Sequence, residues 1–410
     1  MTVRWQPLDG DPHLPIAYRE VWGPRTLPGV VVLDPEDAAL LHEAVPEVLD
    51  ALLALPEELM GGDVRRYATA LGLRGARRDF LVAVGDMPRE RYGRADLYAT
   101  DDGWKLLEFN VASDLGGLDR SIASTAAGEL CTALRPEAID TLSLVAEALR
   151  RRSAAIGRTM SSIAIVVGSD CSPSIERMLH SLRAGLVEAS GVRVEVLPLT
   201  ALSVIGGQVS GIDGPIDVVL RYFTVEHALS PVDGEIVRTL VQGAREGRHV
   251  LWSSPNSSLF SNKAALSVLS RALDSGRSTL RDAARHLLVP SHPVAGAPSG
   301  PDGFGDGDWI LKEATAAAGG GTVCSWEVDA PTWAAALADA DGSAVVQRRV
   351  TPRAVDVCGI AYNVVIGMFV VDGVPAGFDA RCAPAGSGDV VGWASNERTR
   401  VAPVIVRGGS

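Results

Sequence analysis

The part of this sequence best suited to chemistry is a short stretch with charged side chains, RADLYATDDGWKLLEFN, residues 94–110. Two runs of alternating apolar and polar residues flank the turn signal Asp-Asp-Gly, and this pattern predicts a β-hairpin. Because successive side chains of a strand point to opposite faces, the even-numbered residues share one face. That face ends in Arg94, Asp96, Glu108 and Asn110. The residues expected to face the core instead are Ala95, Leu97, Ala99, Leu107 and Phe109.

The register of this hairpin follows from the position of its turn. If the turn is centred on Asp102, residues equally distant from it along the chain lie opposite each other. The expected cross-strand pairs are Arg94 with Asn110, Asp96 with Glu108, and Tyr98 with Leu106. Directly opposed residues have Cβ atoms about 4.5–5.5 Å apart, and two carboxylates at that separation repel unless a positive group lies between them.

Two interpretations of this polar cluster are open on geometry alone. Two carboxylates with an amide oxygen are the kind of hard-oxygen set that holds Mg²⁺, with phosphates and waters as the remaining ligands. Arg94 beside them could then neutralise a carboxylate or contact a phosphoryl group. Alternatively, the cluster is a solvated polar face of a strand with one salt bridge.

The order of these residues resembles the metal site of glutathionylspermidine synthases and related, circularly permuted ATP-grasp ligases. The resemblance rests on Arg-x-Asp, then twelve positions from Asp96 to Glu108, then Glu-Phe-Asn, with the hairpin placed before the lysines of the nucleotide site. It implies that Asp96, Glu108 and Asn110 bind magnesium and that Arg94 steadies the phosphoryl group in transfer. ATP and Mg²⁺ are the cofactors that it implies.

Two lysines fit the nucleotide-binding pattern of the same family. PNSSLFSNKAALSVL resembles the segment whose lysine, here Lys263, reaches a phosphate from the start of a helix. WILKEATAAAGGGTV resembles the strand that carries the second lysine, Lys312, followed by a glycine loop. Glycines let backbone N–H groups approach anionic oxygens without obstruction by a Cβ atom. The glycines of this loop are Gly319, Gly320 and Gly321.

The resemblance also suggests roles for three residues nearer the C-terminus. VVQRRV, residues 345–350, resembles the strand along which adenine stacks, and Gln347 marks it. The alternative for this segment is a core strand with its polar residues turned outward. Arg381 in GFDARC and Asn396 in WASNER lie where ATP-grasp proteins often place phosphate or metal contacts.

Hydrophobic periodicity predicts the elements that must position these residues. Apolar positions at intervals of three and four predict helices over 36–75, with a kink or a split at Pro46, and a long helical region over 119–155. From residue 162, short strands alternate with helices, which favours a parallel, Rossmann-like sheet. The strands expected in that sheet are 162–167, 192–197, 216–223 and 249–252. Residues 310–407 are expected to be mostly strand.

The expected fold class is therefore α/β (α+β), an ATP-grasp fold with a Rossmann-like pre-ATP-grasp subdomain. We expect three parts along the chain. Residues 1–160 would contain N-terminal helices and the metal-binding hairpin, and residues 161–255 the Rossmann-like subdomain. Residues 256–410 would form the nucleotide-binding subdomains of the ATP-grasp unit.

Composition argues against several other functions. The formal net charge of −12 disfavours nucleic acids and anionic membranes as partners, because phosphate recognition needs a basic surface. No apolar run approaches the roughly 20 residues needed to span a bilayer, and the first residues lack the pattern of a secretory signal, so we expect a cytoplasmic location. The five cysteines are scattered without a CxxC pair, which fits neither a disulfide framework nor a zinc site.

These observations predict an ADP-forming ligase that joins a carboxylate to an amine. The substrate carboxylate would attack the γ-phosphate of ATP to give an acyl phosphate, and the amine would then attack the acyl carbon. Such transfer depends mainly on positioning and charge neutralisation, so no side-chain nucleophile is required. By family analogy, an amino acid would be joined to a second amino acid or a small amine, with a γ-glutamyl linkage as one variant.

Two rival functions fit parts of the sequence. A non-catalytic nucleotide-binding or interaction protein derived from such a ligase would be favoured by loss of a metal ligand, but all three are present. A dinucleotide-dependent oxidoreductase is disfavoured because VVGSDCSPS, which follows the first predicted strand of the parallel sheet, lacks the GxGxxG pattern.

Overall fold

The computed structural model describes residues 3–8, 14–134, 136, 139–294, 307–314, 321–340, 342–388, 390–393 and 396–408. Within them the α-helices are α1 (Ile16–Trp22), α2 (Pro35–Met60), α3 (Val64–Ala70), α4 (Gly75–Ala83), α5 (Ser121–Leu130), α6 (Thr141–Ala155), α7 (Pro173–Ser190), α8 (Val225–Leu229), α9 (Gly234–Arg245), α10 (Ala264–Asp274), α11 (Asp282–Leu287) and α12 (Ala330–Asp339). None of these described helices has the length and apolar character needed to cross a bilayer.

The β-strands of the same residues are β1 (Val3–Gln6), β2 (Val30–Leu33), β3 (Gly93–Thr100), β4 (Gly103–Asn110), β5 (Ser162–Val167), β6 (Arg193–Pro198), β7 (Ser203–Ile205), β8 (Gln208–Ser210), β9 (Val218–Arg221), β10 (Val250–Trp252), β11 (Ser291–Pro293), β12 (Trp309–Lys312), β13 (Thr322–Cys324), β14 (Val345–Arg348), β15 (Val355–Val357), β16 (Ile360–Val371), β17 (Val374–Pro384), β18 (Arg400–Ala402) and β19 (Val404–Val406). Short 3₁₀ helices lie at Gly23–Arg25, Thr132–Leu134, Leu199–Ala201 and Pro255–Leu259.

The predicted hairpin is present as β3 and β4 at one end of a six-stranded antiparallel sheet. The order of this sheet is β18–β17–β16–β3–β4, with β15 beside β16. All eight residues of β3 are buried, because β4 and β16 flank the strand. Helix α2 packs on β16 and β17, and α11 packs on β4. Leu97, Leu106 and Ile366 of this sheet belong to one large apolar core with residues of α2.

The predicted Rossmann-like sheet is present as four parallel strands in the order β10–β9–β5–β6. Their bounds lie close to those expected from the sequence. Every residue of β5 is buried, as is usual where both faces of a parallel sheet are covered. The carboxyl end of β9 is Arg221, which contacts Asp114 in the loop after the hairpin.

A smaller antiparallel sheet in the order β11–β14–β12–β13 carries the second predicted lysine. Its own apolar cluster includes Trp309, Leu311 and Val346, against which Trp333 of α12 packs. Lys312 ends β12, and β14 lies directly beside that strand. This sheet therefore presents residues of two neighbouring strands towards the hairpin.

The helix predicted to kink or split at Pro46 runs without interruption as α2, Pro35–Met60, so a split is wrong. A proline inside a helix removes one hydrogen bond and costs about 3 kcal/mol. The buried face of α2 outweighs this cost, because each buried leucine or valine contributes about 1.5–3 kcal/mol. Leu41, Val45 and Leu49 lie on that face and are fully buried.

The long helical region predicted over 119–155 is divided into two helices, α5 and α6. Asp140 begins the second one, because its Oδ1 accepts hydrogen bonds from the backbone N–H groups of Leu142 and Ser143, each at 3.1 Å. An aspartate that satisfies free N–H groups in this way favours a new helix start over continuation of the previous helix.

The predicted three-part division of the chain stays a prediction. Strands from the first and the last predicted part share sheets, because β3 pairs with β16 and β2 pairs with β19. The hairpin is thereby fixed to the strand that leads into β17.

Candidate active site

The hairpin brings the four predicted polar residues together in the predicted register. Arg94 lies opposite Asn110, and Asp96 lies opposite Glu108. The inner strand, β3, also pairs with β16, where Asp96 lies beside Gly367. Asp96 and Arg94 are therefore 1% and 5% exposed, whereas Glu108 and Asn110 on the outer strand are only partly buried.

Nearer the turn the register differs from the prediction. Tyr98 lies opposite Lys105, so the predicted pairing with Leu106 is wrong. The strands are joined by a two-residue turn, and the register shifts between Asp96 and Leu97, where a β-bulge in β4 takes up Leu107 as an extra residue. Because of the bulge, the predicted faces of two leucines are wrong. Leu106 is buried in the core, and Leu107, which was expected to face the core, lies beside the site.

Two guanidinium groups hold Asp96. Arg94 binds both of its oxygens, with Nε donating to Oδ1 at 2.7 Å and Nη2 donating to Oδ2 at 3.0 Å. Arg381, on β17, donates from Nη2 to Oδ2 at 2.6 Å. Burial alone would raise the pKa of Asp96, but the two guanidinium groups outweigh it and hold this pKa well below its usual range. The carboxylate is therefore ionised throughout the physiological pH range.

A second buried ion pair adjoins the first and was not foreseen from the sequence. Arg120 donates to Oδ2 of Asp379 from Nε at 2.9 Å and also from Nη2. Arg94 also joins the first ion pair to the loop after the hairpin, because its Nη1 donates to the carbonyl oxygen of Gly116. Alternation along a strand was the available signal, since Asp379 lies two positions from Arg381 and shares its face.

The predicted metal ligands converge on one point. Asn110 donates from Nδ2 to Oδ2 of Asp96 and to Oε1 of Glu108, at 3.2 Å in each case. A partial positive charge thus lies between the two carboxylates, where a cation would be stabilised. Rotation of the amide by 180° would present its oxygen to the same point.

The carboxylate and amide oxygens of these three residues are ligands that Mg²⁺ prefers, but they differ in how many protein groups they already contact. Asp96 already receives two arginines, whereas Oε2 of Glu108 faces the ammonium group of Lys263 at 3.9 Å. No group of three or more His, Cys, Asp or Glu side chains among the described residues is arranged to hold a metal ion. An ion at this point would therefore rest on two carboxylates, an amide oxygen, and oxygens of phosphates and water.

Lys312 and Gln347 lie side by side on neighbouring strands. Lys312 donates from Nζ to Oε1 of Gln347 at 2.6 Å and to the carbonyl oxygen of Leu107 at 3.2 Å. Gln347 in turn donates from Nε2 to Oγ of Ser291 at 3.3 Å. Burial lowers the pKa of Lys312 to about 8, although the carboxylate of Glu108 acts in the opposite direction.

A cavity of about 100 Å³ lies in front of Lys312 and Gln347, and we call it the apolar cavity. Its apolar walls include Tyr98, Leu107, Ile310, Trp326, Val365 and Val391. The rest of its lining is polar or charged and includes Lys263, Lys312, Gln347, Arg348, Arg349 and Arg381. A cavity that combines apolar walls with converging polar groups is the usual form of a small-molecule site.

A larger cavity of about 290 Å³ adjoins it, and we call it the charged cavity. Its cationic residues are Arg77, Arg94, Arg120, Lys263 and Arg381, and its acidic residues are Glu108, Asp114 and Glu226. Glu108, Lys263 and Arg381 line both cavities and form the wall between them. The excess of positive charge suits a ligand with an anionic group.

Of the three glycines in the predicted phosphate-binding loop, Gly321 lies within the described residues. Gly321 begins the segment leading into β13, and its carbonyl oxygen accepts a hydrogen bond from the backbone N–H of Glu313 at 3.1 Å, next to Lys312. Gly319 and Gly320 lie outside the described residues.

Asn396 has a local role in the loop before β18. It donates from Nδ2 to the carbonyl oxygen of Ser387 at 3.1 Å, and its Oδ1 accepts from the backbone N–H of Arg398 at 3.0 Å. Asn396 is not among the residues that line either cavity, whereas Arg381 lines both.

No protein-family model and no curated protein significantly matches this chain. Among solved structures, it is similar to a glutathione synthetase-like effector from Globodera pallida in its apo form, with 12% identity, a TM-score of 0.56, and coverage of 93% of this chain and 90% of that one. A putative gamma-glutamylcysteine synthetase from Methylobacillus flagellatus KT gives 9% identity, a TM-score of 0.48 and 88% coverage of both chains. D-alanyl-alanine synthetase A from Vibrio cholerae O1 biovar eltor gives 14% identity, a TM-score of 0.33, and coverage of 59% and 74%.

The first of these structures carries the conclusion about the fold, because its similarity extends over nine-tenths of both chains. At this level of identity the similarity concerns the fold and not the activity. The strand alternation that predicted a Rossmann-like sheet agrees with it. The chain has a mixed α/β, glutathione synthetase-like ATP-grasp fold.

Proposed function

We propose that this protein is an ATP-dependent carboxylate–amine ligase that releases ADP and forms an acyl phosphate as its intermediate. The observation that carries the proposal is the wall formed by Glu108, Lys263 and Arg381 between two adjoining cavities. A ligase of this kind must bring a nucleotide and an acceptor together across one reacting phosphoryl group. A pair of cavities that share a charged wall suits that task.

The apolar cavity is the proposed site of the nucleotide. Gln347 and Lys312 line this cavity, and a base or a phosphate would replace the hydrogen bond that they make with each other. Lys263 lies at the wall, one position before α10, and offers its ammonium group to the same phosphates. Together, Lys263 and Lys312 supply positive charge that binds phosphate without fixing its orientation.

Arg94, which lines the charged cavity, and Arg381 of the wall are proposed to act on the phosphoryl group during transfer. Arg94 and Arg381 are already fixed by Asp96, so their N–H donors need little reorganisation when negative charge develops. Asp96, Glu108 and Asn110 would hold Mg²⁺, which when bound supplies charge neutralisation at the phosphate oxygens. Phosphoryl transfer of this kind depends on such positioning and neutralisation.

The charged cavity is the proposed site of the carboxylate and the amine. Its cationic excess suits a substrate carboxylate, which must approach the phosphoryl group as an anion. Amino acids are the proposed substrates, joined through an α- or a γ-glutamyl linkage to a second amino acid or a small amine.

The proposal is tested by measuring ADP release from ATP over a panel of amino-acid pairs, with the products identified by mass spectrometry. We expect ADP to form with Mg²⁺ only when a suitable carboxylate is present, and one amide to appear for each ADP released. ADP formation that is indifferent to every carboxylate of the panel would contradict the proposal.

The non-catalytic alternative has one observation in its favour. Asp96 is already neutralised by Arg94 and Arg381 without any ligand, as in a purely structural ion pair. A protein of that kind would bind ATP in a calorimeter and release no ADP in the same panel. The two functions are therefore separated by one pair of measurements.

A further inference from the structure

Asp114 is an acidic residue of the charged cavity to which neither the hairpin nor the nucleotide site assigns a role. Its Oδ1 accepts a hydrogen bond from Nη2 of Arg221 at 3.2 Å. Its Oδ2 accepts none from the residues that the structure describes. The side chain lines the cavity and is 23% exposed. One oxygen of this carboxylate is thus fixed, and the other is open to a ligand.

Arg221 holds Asp114 from an enclosed position at the carboxyl end of β9, where it is 1% exposed. Its Nε donates to the carbonyl oxygen of Ser253 at 2.8 Å, and its Nη1 donates to that of Phe223 at 2.6 Å. Its Nη2 also reaches Oγ of Ser257 at 3.1 Å. These neutral oxygens accept most of the hydrogen bonds that the guanidinium group of Arg221 donates. Arg221 therefore engages only one oxygen of Asp114.

The backbone before Asp114 is fixed by a reciprocal pair of hydrogen bonds. The N–H of Ser113 donates to Oγ of Ser253 at 2.9 Å, and the N–H of Ser253 donates to Oγ of Ser113 at 2.8 Å. Oγ of Ser113 also donates to the carbonyl oxygen of Arg221 at 2.6 Å. The carboxylate is therefore held in place before any ligand arrives, which lowers the entropy cost of binding.

The other two acidic residues of the charged cavity have different surroundings. Glu108 faces Lys263 and accepts from Asn110 at the proposed metal point. Glu226 is paired with Arg77, and its side chain is 57% exposed. Asp114 is the least exposed of these three carboxylates.

An ammonium group that enters this cavity meets mostly cationic walls, which repel it. A carboxylate oxygen with no protein partner would stabilise it through a charge-assisted hydrogen bond. We propose that Asp114 binds the ammonium group of the amine substrate through Oδ2, and that Arg221 is the residue that positions it. This inference rests on the proposed ligase function and names the recognition element for the second substrate.

The test compares acceptors with and without a positive charge in the variant Asp114→Asn. Common amino acids and short alkylamines are the charged acceptors, each with a carboxylate substrate from the panel above. Hydroxylamine, which is uncharged at mildly alkaline pH, is the comparison nucleophile and traps the acyl phosphate as a hydroxamate. We expect the KM for the charged amine to rise at least about tenfold, as for loss of a hydrogen bond to a charged group. Hydroxamate formation and the KM for ATP should stay within a few-fold of the parent.

Two further variants keep the test decisive. Asp114→Glu retains the negative charge and should bind the amine more tightly than Asp114→Asn does. If the asparagine variant fails to fold, the glutamate variant is compared with the parent instead. Asp102→Asn removes an exposed carboxylate at the turn of the hairpin, which lines neither cavity, and should change the KM for the amine by less than about threefold. These outcomes require that the charge act at Asp114 and not through the net charge of the protein.

The failure of this inference can be told from failure of the proposed function. If the parent forms neither hydroxamate nor ADP, the ligase function itself is wrong. If the parent forms hydroxamate but the Asp114→Asn variant keeps the parental KM for the amine, the assignment of Asp114 is overturned. Equal losses in Asp114→Asn and Asp102→Asn, or hydroxamate formation with no amide from any amine, would also overturn it.

Discussion

At the scale of single residues, Asp96 is the side chain around which the candidate site is organised. It is fully buried between Arg94 and Arg381, and these two ion pairs offset the cost of removing three charges from water. Burial acts to lower the pKa of Arg94, but the carboxylates of Asp96 and Asp379 outweigh it and hold this pKa above its usual range. Asp96 and Arg94 therefore keep their charges across the physiological pH range.

Arg94 should act in phosphoryl transfer more than in nucleotide binding, because it lines the charged cavity and not the apolar one. Arg94→Ala should lower single-turnover ADP formation on the order of 10²-fold or more, as for other donors to developing charge. Equilibrium ATP binding should stay within a few-fold of the parent. Arg94→Lys should recover only part of the rate, since lysine lacks the planar fork.

The Arg94 comparison needs a check on folding. Removal of one partner from a buried ion pair costs roughly 3–5 kcal/mol of stability. Thermal unfolding of the Ala and Lys variants therefore accompanies the rate measurements. An equal drop in rate and in ATP affinity in a folded variant would mean that Arg94 supports the ground state only.

Glu108 should be essential for magnesium-dependent turnover. Glu108→Gln removes the charge of the carboxylate whose Oε2 is the least engaged of the proposed ligands, and ADP formation should fall on the order of 10²-fold or more. Asp102→Asn is the matched control, because it removes a carboxylate at the exposed turn of the same hairpin. A magnesium titration of both variants checks this expectation, and parental ADP formation by Glu108→Gln would remove the metal assignment.

The affinity for ATP should depend on the protonation of Lys312. Its pKa is lowered to about 8 in the free protein, so the ammonium group loses its proton as pH rises through this value. Binding of phosphate then requires the proton to be recovered, and the affinity should fall with a limiting slope of about tenfold per pH unit above pH 8.

The variant Lys312→Arg distinguishes the titration of Lys312 from other effects of pH on ATP binding. Lys312→Arg stays charged over the whole range, so its affinity for ATP should be nearly flat with pH. Calorimetry between neutral pH and pH 9.5 measures both profiles. Equal slopes in the parent and the variant would show that another group titrates.

At the scale of elements, the hairpin shows how far sequence reasoning extends. Alternation and the turn signal were enough to place Arg94 opposite Asn110 and Asp96 opposite Glu108. They did not reveal the bulge at Leu107, because Leu106 and Leu107 are both leucines and the pattern does not show which of them faces the core. The same limit applies to α2, where a local rule about proline was overridden by burial of the whole helix face.

In the loop after the hairpin, alanine substitution should be destabilising at Gly117 and tolerated at the neighbouring Gly116. A Cβ atom on Gly117, which has a φ of +113°, would lie 2.9 Å from Arg94, Arg120 and Asp379 side-chain atoms. Gly117→Ala should therefore lower the free energy of unfolding by roughly 1–3 kcal/mol and slow ADP formation.

Gly116→Ala is the matched control for this loop. Its Cβ atom would come no closer than 3.8 Å to a neighbouring atom, on Arg120, so its stability should stay within about 0.5 kcal/mol of the parent. Chemical denaturation of both variants measures the difference. Equal stability of the two variants would mean that the buried arginines do not need the space beside Gly117.

At the scale of the whole molecule, the site lies where separate sheets meet. The six-stranded sheet supplies Asp96 and Arg381, and the smaller antiparallel sheet supplies Lys312 and Gln347. Asp96 and Arg381 are 285 positions apart in the chain. No local pattern predicts a contact between such distant residues, so the sequence indicated the candidate residues and the fold class but not their mutual contacts.

The transfer of oxygen from the substrate carboxylate to phosphate tests the proposed function most directly. A carboxylate substrate labelled with ¹⁸O is turned over with ATP and Mg²⁺, and the released inorganic phosphate is analysed by mass spectrometry. An acyl-phosphate intermediate requires one labelled oxygen in the phosphate for each ADP formed, because the carboxylate oxygen leaves with the phosphoryl group. Phosphate without label, alongside ADP formation, would contradict a carboxylate–amine ligase and leave a simple ATPase in its place.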